Sequence, residues 1–464
     1  MLATTDEPLS LTSRTRSFVA DSITPISAYL ALAQPGRSCL LESVEGTERI
    51  SRFSFIGIDY LESFAIDRDP QMLDTLRDAL LRYRLDRKDL PFPGGAVCVF
   101  TYDAARALEP VLHRARENGE MPPADVGFSD VLVVIPGTWL VFDHFTHRVT
   151  LIGFARNGGE CAAVDARLDA YVARLLAQSS TIPGEVRADG PVTASLDETA
   201  FLERVEHAKR YIYDGEAYQL QVGIRFSCAL SGTAFDFYRQ IRARNPSPYM
   251  FFVEHGGRAV FGASPEFLVR LDDRTARIRP LAGTRPRDPD PELDQAVAEG
   301  LLADEKERAE HIMLVDLARN DLGAVCRTGT VRVDELMVIE RYSHVMHIVS
   351  NVVGELRDDK DALDLFAASF PAGTVTGTPK IRAMQLIDRL EPVARGFYAG
   401  SVAHIDFDGN MDSCIVLRSV AVSDGRAYWQ ASAGIVTDSV PQAEYREVFA
   451  KTGIVRAVLG IDVP

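Results

Sequence analysis

The sequence predicts an α+β fold of large, mainly antiparallel β-sheets with helices packed outside. Three observations carry this. Short β-rich runs recur from one end of the chain to the other, hairpin-length turns separate many of them, and helical stretches with one apolar face alternate with them. Short connections favour antiparallel pairing, because parallel strands need long crossovers. The apolar helix faces need a sheet to cover.

In the first part, CLLES (39–43), RFSFIG (52–57), GGAVCVFTYD (94–103) and HRVTLIGFA (147–155) read as strands, and Gln71 to Arg82 and Val164 to Ala177 as helices. VLVVIPGTWLVF (131–142) reads as two strands around a turn at Pro136 and Gly137. The polar, Gly/Pro/Ser/Thr-rich stretch before Asp197 marks a boundary, so we divide the chain into an N-terminal regulatory or structural part (1–180), a linker (181–197) and a catalytic part (198–464). The catalytic part is expected to open on a helix from Asp197 to Asp214, followed by the strand YQLQVGIRFSC and a helix from Thr233 to Arg244. Strands YMFFVEH, RAVFGAS and EFLVRL come next, then one long helix from Leu293 to Asn320 and another from Lys380 to Leu390. Strands AHIDF, SCIVLRSVAV and AYWQASAGIV precede a terminal helix from Gln442 to Leu459.

With 46% hydrophobic and 25% charged residues over 464 positions, the chain has material for a large core and no bias toward disorder. Its net charge of −16 repels phosphate backbones and anionic membranes, so nucleic acid and membrane partners are not expected. The N-terminus lacks an apolar signal region, no run is long enough to span a bilayer, and Cys39, Cys98, Cys161, Cys228, Cys326 and Cys414 are scattered without C-x-x-C spacing. These features predict reduced thiols and a cytoplasmic location.

Glu307 and Glu310 share a helix stripe with Leu314 and Leu317, and Glu444, Glu447 and Lys451 share one with Ile454, Val455 and Val458. On that spacing the acids fall on the buried side, where a hard cation such as Mg²⁺ would offset the cost of burying carboxylates. Spacing alone equally allows two solvated faces, with Glu447 and Lys451 forming an ordinary i,i+4 bridge. His347 has the residue type for general acid–base work, although a lone histidine is more often structural. PAGTVTGTPK (371–380) fails the phosphate-loop pattern and better suits a turn offering N–H and hydroxyl donors to a carboxylate. Arg418 suits capture of a carboxylate or an outward, solvated position.

Taken in order, LLES (40–43), NPSPYMFF (245–252), GASPE (262–266), RPLAGTRPR (279–287), DEKERAEHIMLVDLARNDLG (304–323), YSHVMHIVS (342–350), FPAGTVTGTPKIRAM (370–384) and DSVPQAEYREVFAK (438–451) resemble the chorismate-utilising enzymes, specifically anthranilate synthase component I. The resemblance implies two large sheets sandwiched together with helices outside. It implies Mg²⁺ ligands at Glu307, Glu310, Glu444 and Glu447, a catalytic histidine at His347, and substrate-site roles for Thr284, Thr374, Tyr398, Arg418, Gly434 and Lys451, with Glu266 and Gln219 lining the pocket. A tryptophan-binding regulatory site would use Glu42, Ser43, Pro248, Tyr249 and Met250.

Two positions bear on the reaction. Relatives that add water to chorismate carry lysine where this chain has Gln219, and those making the para-aminobenzoate precursor carry lysine where it has Ala282. The resemblance therefore implies ammonia as the nucleophile, supplied by a separate glutamine amidotransferase subunit, followed by loss of pyruvate. Its alternatives are an aminodeoxyisochorismate synthase that stops before that loss, and a non-catalytic tryptophan-binding relative. Ser432 and Gly223 depart from the usual family pattern.

Overall fold

The computed structural model describes residues 8–43, 52–86, 90–156, 159–178, 181–342 and 345–461. Two long strands organise it. Phe53–Ile66 and Val131–Asp143 pair antiparallel along their whole length. Residues 131–142 are therefore one strand and not two around a turn. Pro136 donates no ladder hydrogen bond, and the partner strand answers with a bulge between Tyr60 and Glu62, with Asp59 at a φ of 54°. A side chain at Gly137 would put Cβ 2.6 Å from the Asp59 carbonyl oxygen, so only glycine lets the two strands stay paired here.

On either side of the bulge, the strand pairing runs off in two branches. Residues 138–143 pair with Arg148–Arg156 and, through it, with Leu9–Val19. Residues 54–57 pair with Cys39–Glu42, and from there the order is Tyr249–His255, Arg258–Ser264, Ser419–Ser423, Arg426–Ile435 and Gln219–Ser231. In the other branch, residues 131–134 pair with Ala96–Phe100, followed by Ser401–Ile405, Met411–Ile415, Phe267–Asp272, Thr275–Ile278 and Val345–Glu355. Leu281–Pro286 and Arg332–Arg341 flank the last of these. All of these pairings are antiparallel, and a short parallel pairing joins Leu9–Val19 to Tyr83–Leu85.

Alternation fixes which face of the first branch is apolar. Leu220, Val222, Ile224 and Phe226 share a core cluster with Trp429, Ala431, Ala433 and Ile435, under Phe201 and Val205 of helix Glu198–Tyr213 and Phe237 of helix Ala234–Arg244. The opposite face of the same two strands carries Gln219, Gln221, Gly223, Arg225, Gln430, Ser432 and Gly434. A second cluster joins the branches, uniting Phe251, Val253 and Val260 with Val97, Val99, Leu271 and Val402.

Three elements expected to be continuous are broken, each for a local reason. The long helix is two, Pro291–Ala303 and Glu305–Val325, because Asp304 caps the second, its carboxylate accepting from Lys306 N and Glu307 N at 3.0 and 3.2 Å. The terminal helix divides into Pro441–Lys451 and Gly453–Leu459, where the Thr452 hydroxyl bonds the Phe449 carbonyl and glycine follows. The run SCIVLRSVAV is interrupted at Arg418, which has a φ of 48° in the left-handed region. No helix among the described residues is long and apolar enough to cross a membrane, and all six cysteines are free thiols.

Candidate active site

The polar face of strands Gln219–Ser231 and Arg426–Ile435 forms a floor. Gln221 stands opposite Gly434 and Gly223 opposite Ser432. A Cβ at Gly434 would approach Gln219 Nε2 to 2.9 Å and Gln221 Nε2 to 3.0 Å, so glycine makes room for both amides. The Ser432 hydroxyl donates to Gln221 Oε1 at 2.7 Å and lies 2.7 Å from the Tyr398 hydroxyl, while Lys451 Nζ donates to the Ser432 carbonyl at 2.9 Å. Gln221 Nε2 donates to the Thr374 carbonyl at 2.9 Å. The Thr374 hydroxyl in turn donates to Glu266 at 3.1 Å. Burial pushes the Glu266 carboxyl up to about 7, only partly offset by that hydrogen bond, so a large fraction of it is still protonated near neutral pH.

His347 lies on strand Val345–Glu355 opposite Thr284. Its Nδ1 is 2.9 Å from the Thr284 hydroxyl and 3.3 Å from the Gly283 carbonyl. A carbonyl only accepts, which assigns the hydrogen to Nδ1 and leaves Nε2 as the available base. Burial holds the pKa of His347 below its ordinary value, with the nearby Arg418 charge adding to the effect against the pull of the Gly283 carbonyl. The imidazole is thus neutral at physiological pH. Removing this base in His347→Gln is expected to lower turnover about 10²-fold with little change in melting temperature, and an equal fall in both would point to a structural histidine.

Helices Glu305–Val325 and Pro441–Lys451 bring four glutamates to the mouth of this floor. They are half-buried or exposed, which corrects the expectation that the stripe buries them. Glu307 accepts from Arg285 at 2.9 Å. Glu447 pairs with Lys451 at 2.6 Å with both side chains over two-fifths exposed, so the ordinary i,i+4 bridge does form. Among the described residues Glu310 and Glu444 make no direct ion pair of this kind. Burial pushes both upward, reinforced at Glu310 by Glu307 and Glu447 against Lys306 and the Gln219 amide, and at Glu444 by Glu447 against the Ser439 hydrogen bond, Lys451 and Lys306. Gln219 Nε2 reaches Glu310 at 3.5 Å. Among the described residues no three His, Cys, Asp or Glu stand close enough together to hold a metal ion. The donor set is nevertheless that of a hard divalent cation, oxygen-only, with four carboxylates only partly offset by Arg285 and Lys451 and with solvent access for completing waters.

Arg418 is exposed at its bend and does not project from a strand as expected, yet its charge is felt at His347. Thr284 is also exposed. The floor therefore gathers Gln219, Glu266, Thr374, Tyr398, Gly434 and Lys451 by direct contacts, and His347 with Thr284 forms a second group. Gln221 and Arg285 were missed. The first was legible in the alternation of QLQV, which puts Gln219 and Gln221 on one face; the second had no signal beyond its charge.

The five residues expected to bind tryptophan line a separate cavity of about 300 Å³, together with Arg270, Asp412 and Met411. The Glu42 carboxylate there is already held, by the Tyr238 hydroxyl at 2.6 Å and by two bonds from Arg242 at 2.8 Å. The buried Ser43 hydroxyl has no hydrogen-bond partner among the described residues.

The family model for chorismate binding enzymes matches residues 36–456. The chain belongs to that family. Among its relatives, anthranilate synthase component 1 of Streptomyces coelicolor is 43% identical over 94% of this chain and 86% of its own length. The protein of the same name from Acinetobacter calcoaceticus is 40% identical over 96% of this chain and 94% of its own. The crystal structure of anthranilate synthase component I from Streptococcus pneumoniae superposes with a TM-score of 0.78 at 32% identity, covering 95% of this chain and 99% of that one. This chorismate-binding enzyme therefore shares with that structure a large antiparallel sheet with helices over nearly its whole length.

Proposed function

We propose that this chorismate-binding enzyme is the synthase component that adds ammonia to chorismate and eliminates pyruvate to give anthranilate, the first step of tryptophan biosynthesis. The observation that carries the reading is the lack of a nucleophilic side chain where the family's other reactions need lysine. Gln219 lies in the floor against Glu310, and Ala282 is a buried methyl. An amide and a methyl group neither activate water nor attack the ring, so the amine must arrive from solution.

In this reading Arg418, Gly434 and Lys451 hold the substrate carboxylates, and Tyr398 borders the same substrate site. Glu307, Glu310, Glu444 and Glu447 would hold Mg²⁺, which when bound supplies positive charge to the ring carboxylate. Ammonia adds at C2 as the C4 hydroxyl departs, and Glu266, in the fraction still protonated near neutral pH, is the group able to give that hydroxyl its proton. His347 Nε2, neutral, takes the proton released as the ring aromatises and pyruvate leaves. The two branches of the strand network act as the two sheets of a sandwich, a reading supported by their shared core. Residues 1–180 form the regulatory part, 181–197 the linker and 198–464 the catalytic part, in a cytoplasmic enzyme whose ammonia comes from a separate glutamine amidotransferase subunit.

Two expected results follow from these groups. At constant free ammonia, kcat/KM falls above about pH 7 as Glu266 loses its proton and falls below the ordinary histidine range as His347 gains one; Glu266→Gln abolishes the upper limb if the assignment holds. Tryptophan inhibits and, at a hundredfold excess over its dissociation constant, stabilises the fold by about 2.7 kcal/mol, seen as a raised melting temperature that Ser43→Ala diminishes. Unchanged activity and melting in tryptophan would exclude the regulatory site. The reading as a whole is tested by incubating the chain with chorismate, Mg²⁺ and an ammonium salt. Anthranilate fluorescence supports it, and turnover that proceeds equally without ammonium contradicts it.

A further inference from the structure

Two of this chain's polar residues, Gln221 and Ser432, hydrogen-bond each other on the floor, and the direction of every hydrogen in their chain is fixed by its last member. The Thr374 carbonyl can only accept, so the Gln221 group 2.9 Å from it is the amide NH₂ and the other end of that amide is the carbonyl. A carbonyl oxygen also only accepts, so Ser432, 2.7 Å away, must spend its single hydrogen there. With its hydrogen committed, Ser432 offers only lone pairs to the Tyr398 hydroxyl at 2.7 Å, and Tyr398 must be the donor. The geometry points to a one-way relay, Tyr398 to Ser432 to Gln221 and on to the Thr374 backbone, which turns the Tyr398 hydrogen away from the substrate and leaves its oxygen facing the site as an acceptor.

Burial makes the alternative costly. Gln221, Tyr398 and Ser432 are all buried, so a member that loses its partner finds no water to replace it. Reversing the relay would set two acceptors against each other at Ser432 and Gln221. Burial also raises the Tyr398 pKa, which keeps the hydroxyl protonated. Tyr398 is therefore a poor donor to an anionic carboxylate and a good acceptor for an N–H or O–H of the reacting species. Ser432 is a positioning residue that sets this polarity. Glycine at position 432 would release the tyrosine hydrogen for the substrate carboxylate.

This inference rests on chorismate being the ligand of the floor, and its test reads binding and not turnover. Dissociation constants for chorismate with Mg²⁺ are measured by calorimetry for the native chain, Ser432→Gly, Tyr398→Phe and the double variant, with melting curves confirming folding and Ser432→Ala as a second way to free the tyrosine. Ser432→Gly is expected to bind chorismate about fivefold more tightly, the net worth of one hydrogen bond, and Tyr398→Phe to cost a larger factor in the Ser432→Gly background than in the native one. Unchanged or weaker binding by both Ser432 variants, with Tyr398→Phe costing the same factor in both backgrounds, would overturn the relay. A native chain that binds chorismate and shows this coupling but makes no anthranilate would uphold the relay and reject the amination reading.

Discussion

Glu310→Gln lowers chorismate turnover about 10³-fold, the loss of several kcal/mol of charge stabilisation that a bound divalent cation supplies. The same variant is expected to melt at or above the native temperature in metal-free buffer at neutral pH. The sign follows from the raised pKa. A carboxyl pushed up by burial and by Glu307 and Glu447 destabilises the fold whenever it is ionised, from its unfolded value near 4.5 upward, and a neutral amide removes that penalty. Loss of activity with a loss of stability would instead mark Glu310 as a structural acid. Full activity would remove it from the ligand set.

Glu391→Ala is the largest stability effect expected, about 3–5 kcal/mol, because it leaves a charge uncompensated in the interior. Arg395 is fully buried, donates to Glu391 at 2.7 and 3.0 Å and to the Val375 carbonyl at 2.6 Å, and stacks 4.8 Å from the Tyr102 ring centroid. Glu391 also accepts from Gly223 N at 2.9 Å. The pair thus pins the Thr374–Val375 turn from behind while Gln221 pins it from the front. Urea melts read the stability loss, and chorismate affinity should fall with it as the turn loosens. A variant as stable as the native chain would show that the turn is held elsewhere.

This ion pair also explains Gly223, one of the two residues expected from the resemblance to depart from the family pattern. A Cβ there would lie 2.9 Å from Gln430 Nε2 and 3.2 Å from Glu391 Oε1, so a branched residue would displace the buried acid. Nothing in the one-dimensional pattern signals this, since Glu391 and Arg395 are distant in sequence from the strand they brace. The alternation of strands Gln219–Ser231 and Arg426–Ile435, by contrast, was legible, because a two-residue period with one apolar face leaves little choice of orientation. The helices expected from the pattern are all present, but the short helices Pro25–Leu32, Pro110–Glu117 and Ala362–Ser369 were not read from it, and helix continuity was not legible. Asp304 reads as one more acid in an acidic helix until its carboxylate is seen capping the backbone, and Thr452 reads as an interior residue until its hydroxyl takes up the Phe449 carbonyl. For the candidate site, the acid stripes were readable from spacing, but their exposure depends on how two helices approach each other. That is a tertiary property on which i,i+3 spacing has no bearing.

The central claim is that ammonia is the nucleophile and that pyruvate leaves. Its most direct test is the product made from chorismate and ¹⁵N-labelled ammonium in the presence of Mg²⁺, weighed by mass spectrometry with pyruvate counted enzymatically in the same sample. The expected result is labelled anthranilate and pyruvate in equal amounts. An unlabelled hydroxylated product, or a labelled product that keeps the enolpyruvyl ether with no pyruvate released, would contradict the account.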